Sequence, residues 1–282
     1  MSDKRIMPLE ETHVLLLYIL KHINRITEKE GIPYFAHGGT TLGAIRHGGF
    51  IPWDDDIDLI MERKYYDSFV KACEKYLPDE LVIRTRENDP FFCEEYIKVC
   101  FKDDVCKFSE LDIDIFFLDE TDPKRTMFRM FQNAIIRAVR PIKLYKASRK
   151  AEYMEKYVPH NKIKCLVLAV LSIIPLSVLT NIQTKAMLAE RKHTEWYVDW
   201  GSVVSYKRAT WEKRLYSGRV KKKFENMYVY VSDHFEELLK RGYGDTYMQL
   251  PPVEKRKTHN VHIINNDRIS IDQIQKDILE EE

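Results

Sequence analysis

The sequence predicts an α+β protein built around an α/β core, and three observations support this fold class. The chain has 282 residues, of which 44% are hydrophobic and 32% charged, so it has the length and composition of a globular protein. Helix-like and strand-like segments alternate over residues 1–122. A helical stretch over 123–192 interrupts this alternation, and short strands and a helix return over 193–282. We therefore predict a core, a helical insert and a C-terminal part with these boundaries.

The first part supports the α/β core element by element. Dense apolar spacing predicts a long helix over residues 9–30, and Gly31 follows it at the position of a C-cap glycine. Stretches rich in β-branched and aromatic residues predict strands. In chain order we predict a strand at 33–37, a short helix at 40–46, a strand at 56–61, a helix at 63–77, and strands at 81–86, 95–101 and 111–118.

The other two parts have fewer distinct signals. Residues 123–192 have helical spacing, which makes this part a helical insert. In the C-terminal part, MYVYV predicts a strand at 227–231, and a helix follows at 232–241. Ser232 and Asp233 both suit the N-cap of that helix, because a short polar side chain accepts hydrogen bonds from first-turn N–H groups.

Charge and cysteine content limit which partners and which cellular compartment are expected. The formal net charge is +1, so no global field argues for nucleic acid as a partner. None of the five cysteines forms a C-x-x-C pair, and a scattered, odd-numbered set is typical of reduced thiols in the cytosol. The N-terminal segment MSDKRIMPLEETH has no apolar run of the signal-peptide type. We therefore expect a cytoplasmic protein.

One apolar segment allows two interpretations. Residues 165–179 carry no charge, but fifteen residues interrupted by Pro175 are too few to span a bilayer comfortably. The favoured interpretation is a buried helix or helix pair broken at the proline. The alternative is a contact with an anionic membrane surface, because residues 123–157 hold ten Lys/Arg against two Glu. In that case the protein is peripheral at the inner face of the cell membrane.

Two predicted strands carry aspartates on one face. Residues two apart in a strand point the same way, so Asp54, Asp56 and Asp58 share a face if the strand extends that far back. Asp112 and Asp114 share a face of the strand LDIDIFFL in the same way. The carboxylates of two such strands would repel each other if the strands were neighbours. One or two divalent ions between them would turn this repulsion into attraction. Mg²⁺ fits because it prefers oxygen ligands and readily adds phosphate oxygens.

The acidic pattern also has simpler interpretations. An EF-hand loop starting at Asp54 needs glycine and glutamate where Leu59 and Tyr65 stand, so we discard it. A solvated acidic turn stays open for Asp54 and Asp55, and Asp112 alone fits a charge at a strand edge. The predicted metal ligands are Asp56, Asp58 and Asp114, with Asp54 and Asp112 as secondary candidates.

A double glycine precedes the first acidic strand. Gly38, Gly39 and Thr40 lie between a predicted strand and a short helix, where glycines leave backbone N–H groups accessible to phosphate. Glycine-rich turns are common, so the informative feature is the D-x-D strand some fifteen residues further on. With a third carboxylate on a later strand, this order resembles the layout of DNA-polymerase-β-like nucleotidyltransferases. The resemblance implies a nucleotidyltransferase-like mixed sheet flanked by helices.

A closer resemblance rests on four segments. GTTLGAIRHGGFIPWDDDIDL (39–59) strongly resembles the signature of the LicD family, which includes the fukutin and fukutin-related proteins. YIKV, IDIFFLD and YGDTYMQLPPVEKRKTHN resemble further family segments and fall in the family's order. The sequence departs from the family at Phe117, where proline is usual, and at Thr246, an extra residue in the C-terminal turn. Neither departure touches the predicted metal ligands.

The LicD resemblance implies an enzyme, a phosphotransferase on a nucleotidyltransferase fold. Such enzymes move a phospho-alcohol from a CDP-activated donor, typically CDP-choline, onto a sugar hydroxyl and release CMP. The implied acceptor is a cell-surface glycan precursor of the teichoic acid, capsule or lipopolysaccharide type, free or lipid-linked. The implied cofactor is Mg²⁺, as one ion or two, with Mn²⁺ as a substitute.

The same resemblance assigns roles to individual residues. The three aspartates hold Mg²⁺ across the donor diphosphate, and the glycine turn cradles that diphosphate. Arg46 and His47 lie just before the acidic strand and are candidates to meet phosphate or leaving-group charge. Lys98, Arg256 and His259 are further phosphate or acceptor candidates. The catalytic set is Asp56, Asp58 and Asp114, and the substrate-binding set is Gly38, Gly39, Thr40, Arg46, His47, Lys98, Arg256 and His259.

Two other functions would use the same residues. A true nucleotidyltransferase attacks the α-phosphorus, transfers NMP and releases pyrophosphate, and the motifs do not separate it from a phosphotransferase. A non-catalytic module that binds nucleotide or glycan is disfavoured because all three aspartates are intact. In each case four aromatic residues are candidates for an acceptor platform, although core packing is the favoured interpretation. They are Trp196, Trp200, Tyr206 and Trp211.

Overall fold

The computed structural model confirms the α+β class and the predicted mixed sheet. It describes residues 4–89, 92, 94–102, 111–148, 161–190, 193–202, 205–258, 263–265 and 270–279. The described helices are α1 (Leu9–Lys29), α2 (Gly38–Arg46), α3 (Tyr66–Tyr76), α4 (Thr126–Ser148), α5 (Lys162–Leu171), α6 (Leu176–Met187), α7 (Phe235–Tyr243) and α8 (Ile271–Leu279). The described strands are β1 (Lys4–Ile6), β2 (Phe35–Ala36), β3 (Ile57–Glu62), β4 (Leu81–Arg84), β5 (Ile97–Phe101), β6 (Asp112–Glu120), β7 (Trp196–Val198), β8 (Thr210–Glu212), β9 (Arg219–Phe224), β10 (Met227–Ser232) and β11 (Ile263–Asn265).

The chain forms two compact units, each assembled from separate segments. The first unit consists of Met1–Ile83, Lys98–Phe116 and Lys213–Glu282, and the second of Arg84–Ile97 and Phe117–Glu212. The predicted division at residues 122 and 192 stays a prediction.

The first unit places the two acidic strands side by side. Its strands lie in the order β2-β3-β6-β5-β4, so β3 is the direct neighbour of β6. β2 pairs antiparallel with β3, with Phe35 opposite Ile60. Two further antiparallel pairs, β1 with β11 and β9 with β10, belong to the same unit. The neighbouring acidic strands are the condition that the predicted site requires.

Helix α1 confirms the prediction for residues 9–30. Its side chains Leu16, Ile19, Leu20 and Ile23 are fully buried, because apolar residues three, four and seven positions apart lie on one face of a helix. Gly31 follows the helix with φ +65°, a left-handed conformation that costs glycine little, and so it ends the helix as predicted.

Helix α2 begins at Gly38, two residues before the predicted start, so the double glycine forms its first turn. Gly38 has φ +49°, which lets the chain turn from β2 into the helix. Gly43 has a different role, because a Cβ at this position would lie 2.5 Å from the backbone oxygen of Gly49. The helix can therefore pack against the loop before the acidic strand only with glycine at this position.

The predicted N-cap of the C-terminal helix is wrong. Helix α7 begins at Phe235, and its N-cap is His234, which makes no side-chain cap hydrogen bond. Ser232 ends β10 instead, and its Oγ accepts a hydrogen bond from the backbone N–H of His234 at 2.8 Å. The polar side chain thus stabilises the turn between strand and helix rather than the first helical turn.

The second unit contains helices α4, α5 and α6, and the end of β6 pairs antiparallel with β7, which pairs with β8. A buried ion pair anchors α4. Arg129 donates to Glu190, and both side chains are 2% exposed. Gln132 adds a 2.6 Å hydrogen bond from its Nε2 to the carbonyl of Ala186. These contacts fix the start of α4 to the end of α6 and to the segment that follows it.

The favoured interpretation of residues 165–179, a buried helix pair, is wrong for α5. Within the described chain, Ile163 is 75% and Ile173 79% exposed, and Leu166, Val167 and Val170 are exposed between them. Leu168 and Leu179 are buried and pack on α4. The chain bends by 94° between α5 and α6. In the described part of the protein, no single helix is long and apolar enough to cross a membrane. Taken together, the bent pair α5 and α6 has the length and apolar composition of a membrane-crossing segment.

The cysteines agree with the expectation of reduced thiols where they are described. Cys73, Cys100 and Cys165 are not in disulfides. Cys93 and Cys106 lie outside the described residues.

Candidate functional site

Burial alternates through the first acidic segment as strand geometry predicts. β3 begins at Ile57, so Asp54 and Asp56 precede the regular strand. Asp54, Asp56 and Asp58 are nevertheless all partly exposed, whereas the residues between them are buried. The three carboxylates therefore lie on the same side of the segment.

Asp55 lies on the other side of this segment. Its side chain is only 2% exposed, so it does not belong to a solvated acidic turn, and that interpretation is wrong for this residue. The same alternation holds in β6, where Asp112 and Asp114 are partly exposed and Ile113 and Ile115 are fully buried. The buried neighbours hold both acidic strands in the core of the first unit.

The carboxylates are close enough to perturb one another. Burial raises the pKa of Asp58 well above the ordinary aspartate value, and the charges of Asp56, Asp114 and Asp54 raise it further. Lys98 lowers that pKa, but its effect ranks below those of the three carboxylates. The group thus concentrates negative charge from β3 and β6 in one place.

Lys98 on β5 neutralises part of this charge. Its Nζ lies 2.8 Å from Asp112 Oδ1 and 3.0 Å from Asp114 Oδ1. Burial raises the pKa of Asp112 to about 7 even though Lys98 opposes the shift. Lys98 was predicted as a phosphate or acceptor ligand, and the structure places its ammonium on the carboxylates of β6. Lys98 thus forms ion pairs with both carboxylates of β6.

The first turn of α2 closes the site from the other side. A Cβ at Gly39 would lie 2.8 Å from Asp54 Oδ2, and one at Gly38 would lie 3.6 Å from Asp58 Oδ2. A side chain at Gly39 would therefore displace a carboxylate. The glycines bring the positive end of the helix dipole next to the aspartates and leave backbone N–H groups without side-chain cover.

Thr40 connects the helix to the acidic strand. Its hydroxyl is buried and accepts a hydrogen bond from the backbone N–H of Asp58 at 2.8 Å. The neighbouring Thr41 donates from its hydroxyl to the carbonyl of Ala36 at 2.6 Å. The two hydroxyls tie α2 to β3 and β2. Thr40 was predicted to cradle phosphate, and in the structure its hydroxyl positions Asp58.

Replacing Thr40 with alanine is expected to lower the free energy of unfolding by about 1–3 kcal/mol, because the N–H of Asp58 loses its partner at a half-buried site. Thr40→Ser keeps the hydroxyl and is the matched control. Urea unfolding of the three proteins measures the difference. Equal losses in both variants would show that the threonine methyl, and not the hydroxyl, stabilises this junction.

The basic residues of the predicted site connect α2 to the C-terminal segment. Arg46 Nη1 donates to the carbonyls of Tyr247 at 2.9 Å and Gln249 at 3.2 Å. Arg256 Nε donates to the carbonyl of Pro251 at 2.8 Å, and its guanidinium lies 5.2 Å from the Trp53 ring centroid. The two arginines thus fold residues 247–256 against the end of α2 and the loop before β3.

Two of these cations also influence each other. Burial lowers the pKa of Arg46, the charge of Tyr243 opposes this shift, and the charge of Arg256 adds to it. Arg46 Nε donates to His47 Nε2 at 2.9 Å, and burial followed by the charge of Arg46 lowers the pKa of His47. Guanidinium groups such as those of Arg46 and Arg256 suit the binding of an anion such as phosphate. His259, the last member of the predicted set, lies outside the described residues.

Sequence reasoning missed Tyr243 and His13. Burial and the charges of Asp54, Asp58 and Asp56 raise the pKa of Tyr243, so its phenol faces the carboxylates. His13 of α1 makes a 2.7 Å hydrogen bond through Nε2 to the carbonyl of Asp54, and its ring stacks on Phe50 at 3.8 Å. Tyr243 opens the YGD turn of the C-terminal motif, which was an available signal, whereas His13 has no local sequence signal.

The chemistry of the site fits a hard divalent cation. Asp54, Asp56, Asp58 and Asp114 supply only carboxylate oxygens, and burial together with their mutual repulsion raises the pKa of Asp58. Asp114 Oδ1 is buried and has no hydrogen-bond partner among the described residues, although Lys98 pairs with it electrostatically. Among the described residues, no three Asp, Glu, Cys or His side chains are already arranged to coordinate one metal ion. A bound ion therefore requires side-chain rotation in this set.

These features define a nucleotidyltransferase-type domain: paired acidic strands, a glycine turn at a helix N-terminus and a basic C-terminal block. Residues 31–126 match the family described as LicD/FKTN/FKRP, nucleotidyltransferase domain.

The chain is similar to two named transferases. It is 28% identical over 272 residues to lipopolysaccharide cholinephosphotransferase LicD of Haemophilus influenzae, and the match covers 90% of this chain and 97% of that protein. Over 39 residues it is 46% identical to ribitol 5-phosphate transferase FKRP of Homo sapiens, which covers 14% of this chain and 8% of that protein. Mus musculus FKRP gives the same figures.

Proposed function

We propose that this protein is a Mg²⁺-dependent phosphotransferase that moves a phospho-alcohol onto a sugar hydroxyl of a cell-surface glycan precursor. The phospho-alcohol that we propose is phosphocholine, and its donor is CDP-choline. The observation that carries the proposal is the convergence of Asp54, Asp56, Asp58 and Asp114 beside the first turn of α2. The similarity to a lipopolysaccharide cholinephosphotransferase along 97% of that protein supports the reaction class and the type of acceptor.

The proposed reaction is an in-line displacement at phosphorus. The acceptor hydroxyl attacks the β-phosphorus, a new oxygen–phosphorus bond forms, and the bond to the departing CMP oxygen breaks. The hydroxyl proton passes to a carboxylate, for which Asp58 and Asp114 are the candidates. Mg²⁺ or Mn²⁺, when bound to Asp56, Asp58 and Asp114, supplies charge neutralisation for the diphosphate.

The other residues of the site position these groups. Thr40 holds the backbone of Asp58, and Lys98 limits the repulsion between Asp112 and Asp114. The backbone N–H groups of the first turn of α2 face a diphosphate with the positive end of the helix dipole. The guanidinium pair of Arg46 and Arg256 stabilises the negative charge on the departing CMP.

The released product separates this reaction from nucleotidyl transfer. Phosphotransfer from CDP-choline releases CMP, whereas attack of an acceptor on the α-phosphorus of a nucleoside triphosphate releases pyrophosphate. Incubation with Mg²⁺, a glycan acceptor and either CDP-choline or CTP, followed by chromatography of the nucleotides, measures both. Pyrophosphate from CTP together with unreacted CDP-choline would replace the proposal with nucleotidyl transfer. A panel of CDP-alcohols then identifies the phospho-alcohol.

We also infer that α5 and the following turn contact an anionic membrane, which places the protein peripherally at the inner face of the cell membrane. The apolar residues of α5 at positions 163, 166, 167, 170 and 171 follow the spacing of one helical face, and that face points outward. The sequence has no Asp or Glu from Asn161 to Ala189, and Lys162 and Lys164 are exposed at the start of α5. An apolar stripe flanked by lysines suits a bilayer interface.

Three basic residues of α4 are engaged in contacts within the second unit. Arg140 pairs with Glu94, and Lys143 is fully buried and donates to Gln183 Oε1 at 2.7 Å. Lys146 donates to the carbonyls of Ser172 at 2.7 Å and Ile174 at 2.9 Å. The membrane proposal therefore rests on α5 rather than on the basic stretch that the sequence suggested.

Replacing Leu166, Val170 and Ile173 together with serine is expected to weaken vesicle binding by at least about a hundredfold, because three apolar side chains no longer enter the interface. Co-sedimentation with phosphatidylserine-containing vesicles measures the change. Val220→Ser with Tyr228→Ser, at exposed apolar positions of the first unit, is the matched control. Unchanged binding of the triple variant would refute the membrane contact.

A further inference from the structure

The second unit contains a cavity of about 390 Å³ that the proposed reaction does not use. It lies against α4 and the segment around β7, and its size falls in the range of small-molecule sites. The residues of its wall that carry the argument are Glu95, Asn133, Arg140, Asp199, Trp200 and Tyr206.

Buried charged and polar groups form the wall of this cavity. Glu95 is 2% and Asp199 3% exposed, and both line the cavity. Glu95 Oε1 accepts a hydrogen bond from Gln183, and burial raises the pKa of Glu95 to about 7. Asp199 Oδ1 accepts from the backbone N–H of Gly201 at 2.9 Å. These carboxylates are therefore fixed in position by the fold.

Glu95, Arg140 and Trp200 each have a buried polar atom without a hydrogen-bond partner among the described residues. Glu95 Oε2 lies 3.8 Å from Arg140 Nε, and neither atom has a hydrogen bond, although Arg140 Nη2 pairs with Glu94. The indole N–H of Trp200 also has no acceptor. Buried polar groups in native proteins are almost always paired with protein, water or ligand. The unpaired atoms thus belong to three residues that line the cavity.

An aromatic pair completes the wall. Trp200 and Tyr206 stack with ring centroids 5.6 Å apart, and the Tyr206 hydroxyl forms a 2.7 Å hydrogen bond with Thr121. The side chains of Ile136 and Val198 add apolar surface. The cavity therefore combines fixed hydrogen-bonding groups with ring and aliphatic surface.

This combination selects a neutral ligand that is rich in hydroxyl groups. Arg137 and Arg140 oppose a cation such as choline, and Glu95 and Asp199 oppose an anion such as a phosphate. A sugar hydroxyl both donates and accepts, so it can pair with a carboxylate and with an N–H group at the same time. The C–H face of a sugar ring packs well on aromatic and aliphatic side chains.

We propose that this cavity binds a neutral sugar residue of the acceptor glycan through Glu95, Asn133, Arg140 and Trp200. The assignment of this sugar to the acceptor glycan depends on the proposed function, whereas the binding of a sugar by the cavity does not. Of the four aromatic residues named from the sequence, Trp200 and Tyr206 line the cavity.

Binding is tested on the full chain without turnover. Methyl glucoside, methyl galactoside, N-acetylgalactosamine and choline chloride are titrated by calorimetry into the wild type and into Glu95→Gln and Asn133→Ala. We expect saturable binding of at least one sugar and a loss of about tenfold or more in each variant. Trp196→Phe replaces a tryptophan that does not line the cavity and is the control, which should bind as the wild type does. Circular dichroism confirms that each variant is folded, and Asn133→Ala decides the result if Glu95→Gln unfolds.

Two outcomes overturn the proposal: no sugar binds, or sugars bind equally to wild type and both variants. Binding of choline in place of sugar also overturns it and assigns the cavity to the donor alcohol. Asp58→Asn should retain sugar binding, because Asp58 does not line the cavity. Sugar binding without CMP release would leave the cavity assignment standing and refute the phosphotransferase proposal. CMP release without sugar binding would do the reverse.

Discussion

Replacing Asp58 with asparagine is expected to lower phosphotransfer by about a thousandfold or more, because the site loses a carboxylate that holds the cation and the charge on the diphosphate. The same substitution is expected to raise the stability of the protein in EDTA. Burial and three neighbouring carboxylates raise the pKa of Asp58 above its ordinary value of 3.8, so the ionised side chain opposes folding. Asparagine has nearly the same shape and carries no charge.

The sign of the pH dependence follows from the direction of this shift. A folded-state pKa above the unfolded value means that the folded protein binds the proton more tightly, so the contribution of Asp58 to wild-type stability falls as pH rises above about 4. Asp58→Asn removes that contribution, and the stability difference in its favour should grow with pH and vanish in strong acid. Thermal unfolding in EDTA over a pH series measures the difference.

Metal addition and a surface control complete this experiment. Mg²⁺ should raise the melting temperature of the wild type and leave that of Asp58→Asn nearly unchanged, because binding to the folded state stabilises it by mass action. Asp67→Asn, at an exposed position in the first turn of α3, should leave activity unchanged and lower stability by no more than about 1 kcal/mol. Full turnover by Asp58→Asn would exclude Asp58 from the reaction, and a lower melting temperature in EDTA would refute the charge-repulsion argument.

Replacing Arg129 with methionine is expected to destabilise the second unit by about 3–5 kcal/mol. Arg129 and Glu190 are both almost fully buried, and removal of one partner leaves the other charge in the interior. Arg125 also reaches Glu190 Oε2, at 3.0 Å, but its side chain is 45% exposed and cannot replace the buried contact. Arg129 also donates from Nε to the carbonyl of Asp122 at 3.2 Å, and this contact disappears in the variant.

A double variant separates the lost pair from the buried charge. Arg129→Met with Glu190→Met removes both charges and should recover much of the loss, since a buried ion pair is often no more stable than apolar residues of similar size. Arg125→Met should cost under about 1 kcal/mol. Chemical denaturation measures all three. If Arg129→Met lowers the free energy of unfolding by less than Arg125→Met does, the charge of Glu190 is hydrated when its buried partner is absent.

The sequence predicted most of the first unit because the relevant signals there are local. Helix α1 and the acidic strands follow from spacings of three to four and of two residues, and the structure has them within one or two positions. The alternation at Asp54, Asp56 and Asp58 was predictable for the same reason. Local geometry alone selects the side of the chain on which each aspartate lies.

The sequence predicted α5 poorly because burial depends on what covers a segment. A run of apolar residues has the same pattern whether it packs in a core or faces outward, and here Ile163, Leu166 and Ile173 are exposed. The prediction of Ser232 as an N-cap is wrong for a related reason. Its hydroxyl accepts a hydrogen bond from His234 in the turn between strand and helix. Neither choice is encoded within a few residues of the segment.

The sequence by itself determined the fold class, the parity of the aspartates and the glycine turn that precedes them. Only the tertiary structure decided which groups meet them. It placed Lys98 on Asp112 and Asp114, brought the phenol of Tyr243 to the carboxylates and used the Thr40 hydroxyl to hold Asp58. The physical reason is separation along the chain, because partners tens to hundreds of residues apart are joined by packing of the whole unit, whereas strand parity acts between adjacent residues.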